Sequence, residues 1–244
     1  MANWSDPRSN AAMRATSVGT GAVAYDAGLR SYMLSVYNYM ASGVLLTGIV
    51  ALLFANSSAA PAILFGPGIL KYLIMFSPLA FVMVLSFGIN RLSTGAAQAI
   101  FWAFAGVMGL SMASIFFVYT GTSIAQTFFA TAAAFAGLSL YGYTTKRDLS
   151  AFGTFLVMGV VGLLVAMVIN IFLQSSALSL VISFVGVLLF AGLTAYDTQR
   201  IKSMYFHVAG TDMMGKTVIM GALSLYLDFI NMFTFLLQFM GDRR

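Results

Sequence analysis

Two aspartates, Asp197 and Asp228, lie in the last two apolar stretches of this chain and are its clearest candidates for chemistry. The 244 residues contain seven acidic side chains, and all seven are aspartates. Asp228 lies within an otherwise uncharged run from Val218 to Met240. If this run crosses a membrane, a carboxylate at that depth costs roughly 2.5 to 3.5 kcal/mol on insertion scales. A proton relay, a cation site or an internal ion pair would each offset that cost.

Helical spacing gives Asp228 polar neighbours along the chain. Positions 221, 224, 228 and 231 fall on one helix face and carry Gly221, Ser224, Asp228 and Asn231. Such a polar stripe on an apolar helix should face protein or water rather than lipid. The alternative to a functional role is a buried aspartate that is hydrogen-bonded to neighbouring hydroxyl groups.

Asp197 has Thr194 three residues before it and Arg200 three residues after it. On a helix this spacing brings Arg200 beside the carboxylate, so a local ion pair is available. Asp197 is therefore either a solvated carboxylate at a helix end, paired with Arg200, or a member of a site that includes Asp228.

A close approach of the two carboxylates would restrict their chemistry. Like charges in a low dielectric disfavour double ionisation, so the pair would share a proton and titrate as a unit. When both are ionised they need a cation, either the Arg91 guanidinium or a hard metal such as Ca²⁺, which prefers oxygen ligands. This chemistry predicts a pH-gated cation pathway with Asp197 and Asp228 as its metal ligands. The alternative role for Arg91 is that of a basic anchor at the membrane surface.

The composition identifies an integral membrane protein, because 60% of the residues are hydrophobic, only 8% are charged, and the mean hydropathy is +0.93. The formal charge of +5 does not indicate nucleic acid, since the basic residues lie at the ends of apolar runs, where lipid headgroups and insertion topology explain them. The absence of cysteine excludes disulfides, thiolate metal sites and a cysteine nucleophile. No cofactor is indicated beyond bound or transported Ca²⁺.

The elements that must position the aspartates are seven apolar runs, each long enough to cross a bilayer as a helix. They are Tyr32–Phe54, Ile69–Ile89, Ala96–Tyr119, Ile124–Tyr143, Phe152–Leu173, Leu178–Tyr196 and Val218–Met240. Residues 1–31 are polar and mildly basic, which predicts a disordered or loosely attached cytoplasmic tail before a membrane domain over residues 32–244. Span six is expected to continue helically to about Met204, which would bring Asp197 toward the level of Asp228.

The distribution of basic residues predicts the orientation. With a cytoplasmic N-terminus, nine Lys and Arg residues lie on the cytoplasmic side, at positions 8, 14, 30, 91, 146, 147, 200, 202 and 216. Three lie on the other side, at positions 71, 243 and 244. This asymmetry favours a cytoplasmic N-terminus and a periplasmic or external C-terminus. It places Arg91, Asp197 and the start of span seven on the same side of the membrane.

Three segments resemble the motifs of the transmembrane Bax-inhibitor-motif family. They are Leu193–Gln199 (LTAYDTQ), Leu225–Asn231 (LYLDFIN) and Gly88–Arg91 (GINR). The resemblance extends over nearly the whole chain after about residue 25, and the short loops are similar to those of bacterial members such as the YccA-like proteins.

Membership implies a seven-helix fold of the bacterial inner membrane, with the seventh helix central and wrapped by the other six. It also implies a pH sensor formed by Asp197 and Asp228, with Arg91 matching the latch arginine of the family. The implied activity is a pH-sensitive Ca²⁺ leak. Any family glutamate near the pore has no counterpart here, because the chain contains no glutamate.

The chain lacks the residues that a rival function, intramembrane proteolysis, would require. Intramembrane aspartyl proteases need Gly-x-Gly-Asp at the second aspartate, but Tyr226 and Leu227 precede Asp228. We therefore expect no enzyme. The remaining alternative is a regulatory or accessory subunit without transport activity that binds a larger membrane complex, such as a membrane AAA protease or a respiratory assembly. Its contact surfaces would be the tail from Met1 to Arg30 and the loop from Lys202 to Lys216.

Overall fold

The computed structural model describes the backbone from Pro7 onward and the side chains from Ala27 onward. Within that part the chain is helical and forms no strand, apart from an isolated antiparallel bridge between Tyr119 and Arg243. The helices are α1 (Pro7–Ala55), α2 (Ala60–Phe65), α3 (Leu70–Gly88), α4 (Thr94–Met112), α5 (Ile115–Val118), α6 (Gly121–Thr144), α7 (Ser150–Leu173), α8 (Ser176–Val208) and α9 (Met213–Met240). The prediction of an all-α protein is confirmed.

Seven helical segments in the described part of the chain are long and apolar enough to cross a membrane, as the sequence predicts. They are Ala27–Ala55, Leu70–Gly88, Thr94–Val118, Gly121–Thr144, Ser150–Leu173, Ser176–Val208 and Met213–Met240. The third comprises α4 and α5, which meet at a turn formed by Ala113 and Ser114. Large apolar side chains such as Phe87, Phe172 and Leu53 are exposed on the outside of the bundle, where the lipid would cover them.

The first helix is one continuous element across the boundary proposed from the sequence. Its backbone runs without a break from Pro7 to Ala55, so the polar segment leads into the first span as helix, where the sequence predicts a loose tail. Met1 to Asp6, and the side chains before Ala27, lie outside the described residues. The division into a tail and a membrane domain therefore stays a prediction.

The seventh span, α9, is the centre of the bundle. It packs against α8, α1, α6 and α4, and 72% of the residues in its most apolar window are buried, compared with at most 39% in any other span. This burial confirms the predicted central position. A side chain on α9 therefore faces protein on nearly every side, and its polar groups must find their partners within the bundle.

Small residues let α8 approach its neighbours closely. A Cβ at Gly186 would lie 2.6 Å from the ring of Phe235 on α9, which is closer than side-chain atoms pack. A Cβ at Gly142 on α6 would clash with the carbonyl oxygen of Ala195. These two contacts fix α8 between α6 and α9, and with it the depth of Asp197.

Candidate functional site

Asp228 is buried in the central helix and incompletely hydrogen-bonded. Its side chain is 4% exposed, and its Oδ2 atom is buried with no hydrogen-bond partner among the residues whose side chains the structure describes. The hypothesis that nearby hydroxyls satisfy this carboxylate is not supported by the geometry. Burying such a polar group without a partner costs about 1 to 3 kcal/mol, and more for a charged one, so Asp228 is maintained at the expense of stability.

Asp197 faces a cavity with both polar and apolar lining residues, at the end of the bundle where α3 and α8 end and α9 begins. We call this cavity, of about 280 Å³, the vestibule. Asp197 is half-buried in its wall. The other polar residues and the glycine of the lining are Asn90, Arg200, Lys216, Thr217, Gly221 and Ser224. The continuation of α8 to Val208, slightly beyond the predicted Met204, makes Asp197 a mid-helix residue and not a helix-end one.

The two carboxyl groups interact across the contact between α8 and α9. Asp197 and Asp228 lie on two helices that pack against each other, so they would repel each other if both were ionised, and Arg200, three residues after Asp197, would favour the charged form of Asp197. Among the residues with described side chains, neither carboxylate forms a salt bridge. The vestibule extends along α9 to Ser224, which lies one helical turn, or roughly 6 Å, before Asp228. The two aspartates are therefore neighbours, but in this conformation only Asp197 is reached from the vestibule.

The polar stripe predicted on α9 faces the interior. Gly221 and Ser224 line the vestibule, Asp228 is buried, and Asn231 is half-buried. The Asn231 Nδ2 atom donates a hydrogen bond to the Leu227 carbonyl oxygen at 2.8 Å. The expectation that this whole face avoids lipid stays a prediction, since Asn231 is only half-buried and bonds to its own helix and not to Asp228.

The neighbours of Asp197 on α8 differ from one another. Thr194 is fully buried, and its hydroxyl donates to the Phe190 carbonyl oxygen at 2.8 Å, so it is satisfied within the helix. Arg200 is exposed and lines the vestibule beside Asp197. It contributes an attractive charge without a direct ion pair.

Arg91 does not join the two aspartates in this conformation. It lies exposed in the turn after α3 and is not part of the vestibule wall, whereas Ile89 and Asn90 just before it are. Lys216, which the sequence suggests only as a topological charge, lines the vestibule instead. Its position could have been anticipated, since Lys216 and Ser224 are eight residues apart and share a helix face.

A second polar group on α9 was not predicted from the sequence. The Tyr226 hydroxyl is 2.6 Å from the Thr47 hydroxyl on α1, which donates to the Ala105 carbonyl oxygen on α4 at 2.8 Å. All three groups are buried. Because the Thr47 proton is used on Ala105, Tyr226 donates to Thr47. No local pattern indicates this contact, since the two hydroxyls are 179 residues apart.

Asp197 and Asp228 are the metal ligands that the sequence predicts, and the described part of the chain adds no larger cluster of candidate ligands to them. No group of three or more His, Cys, Asp or Glu side chains could hold a metal ion there. Two carboxylates can contribute oxygen ligands to Ca²⁺, but a full coordination shell of six to eight oxygens would need water or carbonyl groups as well.

Comparison with known proteins identifies relatives over nearly the whole chain. The family model described as "Inhibitor of apoptosis-promoting Bax1" matches residues 29–244. An uncharacterized protein of Rickettsia prowazekii is 47% identical over 221 residues, covering 90% of this chain and 93% of the relative. The "Inner membrane protein YbhL" of Escherichia coli K12 is 46% identical over 220 residues, covering 89% and 94% of the two chains. A Caulobacter vibrioides protein is 46% identical over 231 residues, covering 90% and 91%.

Proposed function

The chain belongs to the Bax inhibitor family, and from this premise we propose that it is a pH-sensitive calcium leak of the bacterial inner membrane. The proton-sensitive element of the proposal is the pair Asp197 and Asp228. The observation that carries the proposal is the buried Asp228 carboxyl, which has an unpartnered oxygen one turn beyond the vestibule.

A buried carboxyl without a permanent partner can bind a proton or a cation reversibly. A proton or a cation that reaches Asp228 supplies the missing interaction, and its departure restores the unfavourable state. Repulsion from Asp197 ties the two groups together, so that a charge change on one alters the affinity of the other. Proton binding and Ca²⁺ binding at the pair therefore compete.

In the proposed ion pathway, the vestibule is the entry route, and the stretch between the vestibule and Asp228 is closed in this conformation. A cation that enters from the basic end of the bundle meets Asp197 and Ser224 but cannot reach Asp228 until α9 or its neighbours move. Arg200 and Lys216 in the same wall oppose cation entry, which suits a slow leak better than a fast channel. Arg91 is the movable cation of the proposal, because Ile89 and Asn90 beside it already border the vestibule.

The test is Ca²⁺ flux into dye-loaded liposomes that contain the purified full-length protein, measured from mildly acidic to mildly basic pH. We expect a pH-dependent leak in the wild type and a flattened pH profile in both Asp197→Asn and Asp228→Asn. The matched control is Asp212→Asn, because Asp212 is exposed just before α9 and should leave the profile unchanged.

Absence of flux above protein-free liposomes at every pH would overturn the leak. Flux with an unchanged profile in both variants would reject the aspartate pair as the sensor. In the first case, co-purification from native membranes would test the accessory-subunit alternative, for which Asp228→Asn should leave complex formation intact.

A further inference from the structure

A second, larger cavity lies away from the aspartates, on the lipid-facing side of the bundle. It measures about 840 Å³ and lies between α1 and α6, with Phe229 of α9 at its floor. We call it the α1–α6 cleft. Its deep wall consists of buried apolar side chains, including Met33, Met40 and Phe135. The cleft plays no part in the vestibule or in the carboxylate pair.

The cleft exists because α1 and α6 both pack on α9 but leave a gap between each other. On the α6 side the wall contains Ala132 and Ala136, whose short side chains leave the gap unfilled. At one level the helices are joined by a hydrogen bond, since the Tyr37 and Ser139 hydroxyl oxygens are 2.6 Å apart. The polar atoms in the middle of the cleft are thus already satisfied, and an occupant there must be apolar.

The cleft opens sideways to the surroundings of the bundle. Its rim residues Leu34, Leu45 and Leu140 are 51%, 64% and 64% exposed, and they lie within spans that cross the bilayer. An apolar opening at this depth is in contact with lipid chains and not with water. The occupant that can enter without a desolvation cost is therefore a hydrocarbon chain.

The length and the charge of the cleft select the kind of lipid. From Arg30 to Leu45 the α1 wall is fifteen residues long, or roughly 22 Å at the helical rise. One leaflet of the hydrocarbon core is roughly 15 Å deep, so the cleft accommodates one acyl chain together with part of the headgroup region. Arg30 lies at one end of the lining, exposed, and has no salt-bridge partner among the described side chains. A guanidinium in this position suits a phosphate group, which it can bind with two hydrogen bonds.

We propose that the α1–α6 cleft binds one anionic phospholipid, with an acyl chain along α1 and α6 against Phe229 and the phosphate on Arg30. Two features distinguish this site from the general lipid coat. The recessed apolar wall gives the chain more contact than a flat helix face would, and the single basic residue of the lining, at one end, selects an anionic headgroup. The proposal does not depend on the calcium leak, because none of its residues belongs to the vestibule.

The test is native mass spectrometry of the full-length protein in mild detergent, with phosphatidylglycerol or phosphatidylcholine added in equal amounts. We expect one phosphatidylglycerol to be retained at collision energies that strip phosphatidylcholine. Arg30→Ala should abolish this preference, whereas Lys146→Ala, which removes an exposed basic residue outside the cleft, should retain it.

Filling the cleft tests the position of the acyl chain. Ala136→Trp should reduce retention of the anionic lipid several-fold, and Ala41→Trp should do the same from the α1 side. The matched control is Ala134→Trp, since Ala134 is exposed on the same helix but does not line the cleft. An unchanged size-exclusion profile identifies the variants that fold, and the comparison uses those.

The following results would overturn the proposal. They are equal retention of the two lipids by the wild type, an unchanged preference in Arg30→Ala, and lipid retention that both tryptophan substitutions in the cleft leave intact. A co-purifying protein segment held in the cleft in place of lipid would also reject it.

Discussion

Tyr226 and Asp228 are two residues apart on the central helix, but their polar groups differ in hydrogen bonding. Both side chains are buried, at 0% and 4% exposure. The Tyr226 hydroxyl bonds to Thr47, which in turn bonds to the Ala105 carbonyl oxygen. The Asp228 Oδ2 atom has no hydrogen-bond partner in the part of the chain that the structure describes. Two residues correspond to about 200° of helical rotation, so the two groups point to nearly opposite sides of α9.

This difference separates the side of α9 that holds the bundle together from the side that can change. On the side of α1 and α4, the hydroxyl pair and the ring contacts of Tyr226 with Phe101 and Phe104 are complete without any ligand. On the side of α8, a carboxyl group lacks a partner and the vestibule lies one turn away. Satisfied buried polar groups fix a structure, whereas unsatisfied ones mark places where stability is given up for function.

The largest effect is expected from Asp228→Val, which replaces the unsatisfied group with an apolar one of similar size. The free energy of unfolding should rise by about 3 kcal/mol, since the penalty for an unpaired buried polar group is removed. Denaturant unfolding in detergent micelles measures this change. Asp212→Val is the control, because Asp212 is exposed and should give little change. A destabilised Asp228→Val protein would mean that the carboxyl is satisfied in the native membrane protein.

Thr47→Val should have the next largest effect, in the opposite direction. It removes the acceptor of the Tyr226 hydroxyl and leaves that donor buried without a partner, which costs about 2 kcal/mol. The same unfolding measurement applies. The Ca²⁺ leak and its pH profile should remain as in the wild type, since Thr47 lies on the other side of α9 from the vestibule. A changed pH profile would show that the α1 and α4 side of α9 also affects the leak, contrary to the distinction drawn between the two sides.

Tyr226→Phe should cost less, about 1 kcal/mol, because it removes one hydrogen bond and leaves the Thr47 proton on Ala105. The double variant Thr47→Val/Tyr226→Phe should be more stable than Thr47→Val alone, since no donor is then left unpaired. A double-variant cycle of unfolding free energies checks this order. Strictly additive losses would show that the two hydroxyls are not coupled.

The sequence alone predicts the spans well and the contacts between them poorly. Hydropathy and length determine the run Phe152–Leu173 almost to the residue, because a bilayer requires about twenty apolar residues in succession. The turn at Ala113 and Ser114 and the short α2 were not predicted, since neither alters the apolar pattern that identifies a span. The local pattern on α9 also predicted correctly that Asp228 faces the interior.

The parts of the candidate site that depend on packing could not be derived in this way. The exposure of Arg91 follows from how the turn after α3 meets the start of α9, and a motif contains no information on that geometry. The Thr47–Tyr226 bond and the α1–α6 cleft both arise from helices far apart in the chain. Whether a buried polar group is satisfied is likewise a tertiary property, so the sequence could indicate Asp228 but not its missing partner.

The smallest effect is expected at Asp148, an exposed aspartate that is satisfied where Asp228 is not. Side-chain and backbone hydrogen bonds from Ser150 lower the pKa of Asp148 below the ordinary value of 3.8, and the Ser150 N–H lies 2.9 Å from Oδ1 at the start of α7. A lowered pKa in the folded state means that the carboxylate stabilises the fold above its unfolded pKa. That stabilisation is lost as the pH falls through the folded value. Asp148→Asn should therefore lower the thermal midpoint slightly at neutral pH, and this difference should vanish in strong acid. A difference that grew on acidification would contradict the assigned sign. Full exposure makes this effect small, in contrast with the large change in stability expected at the buried Asp228.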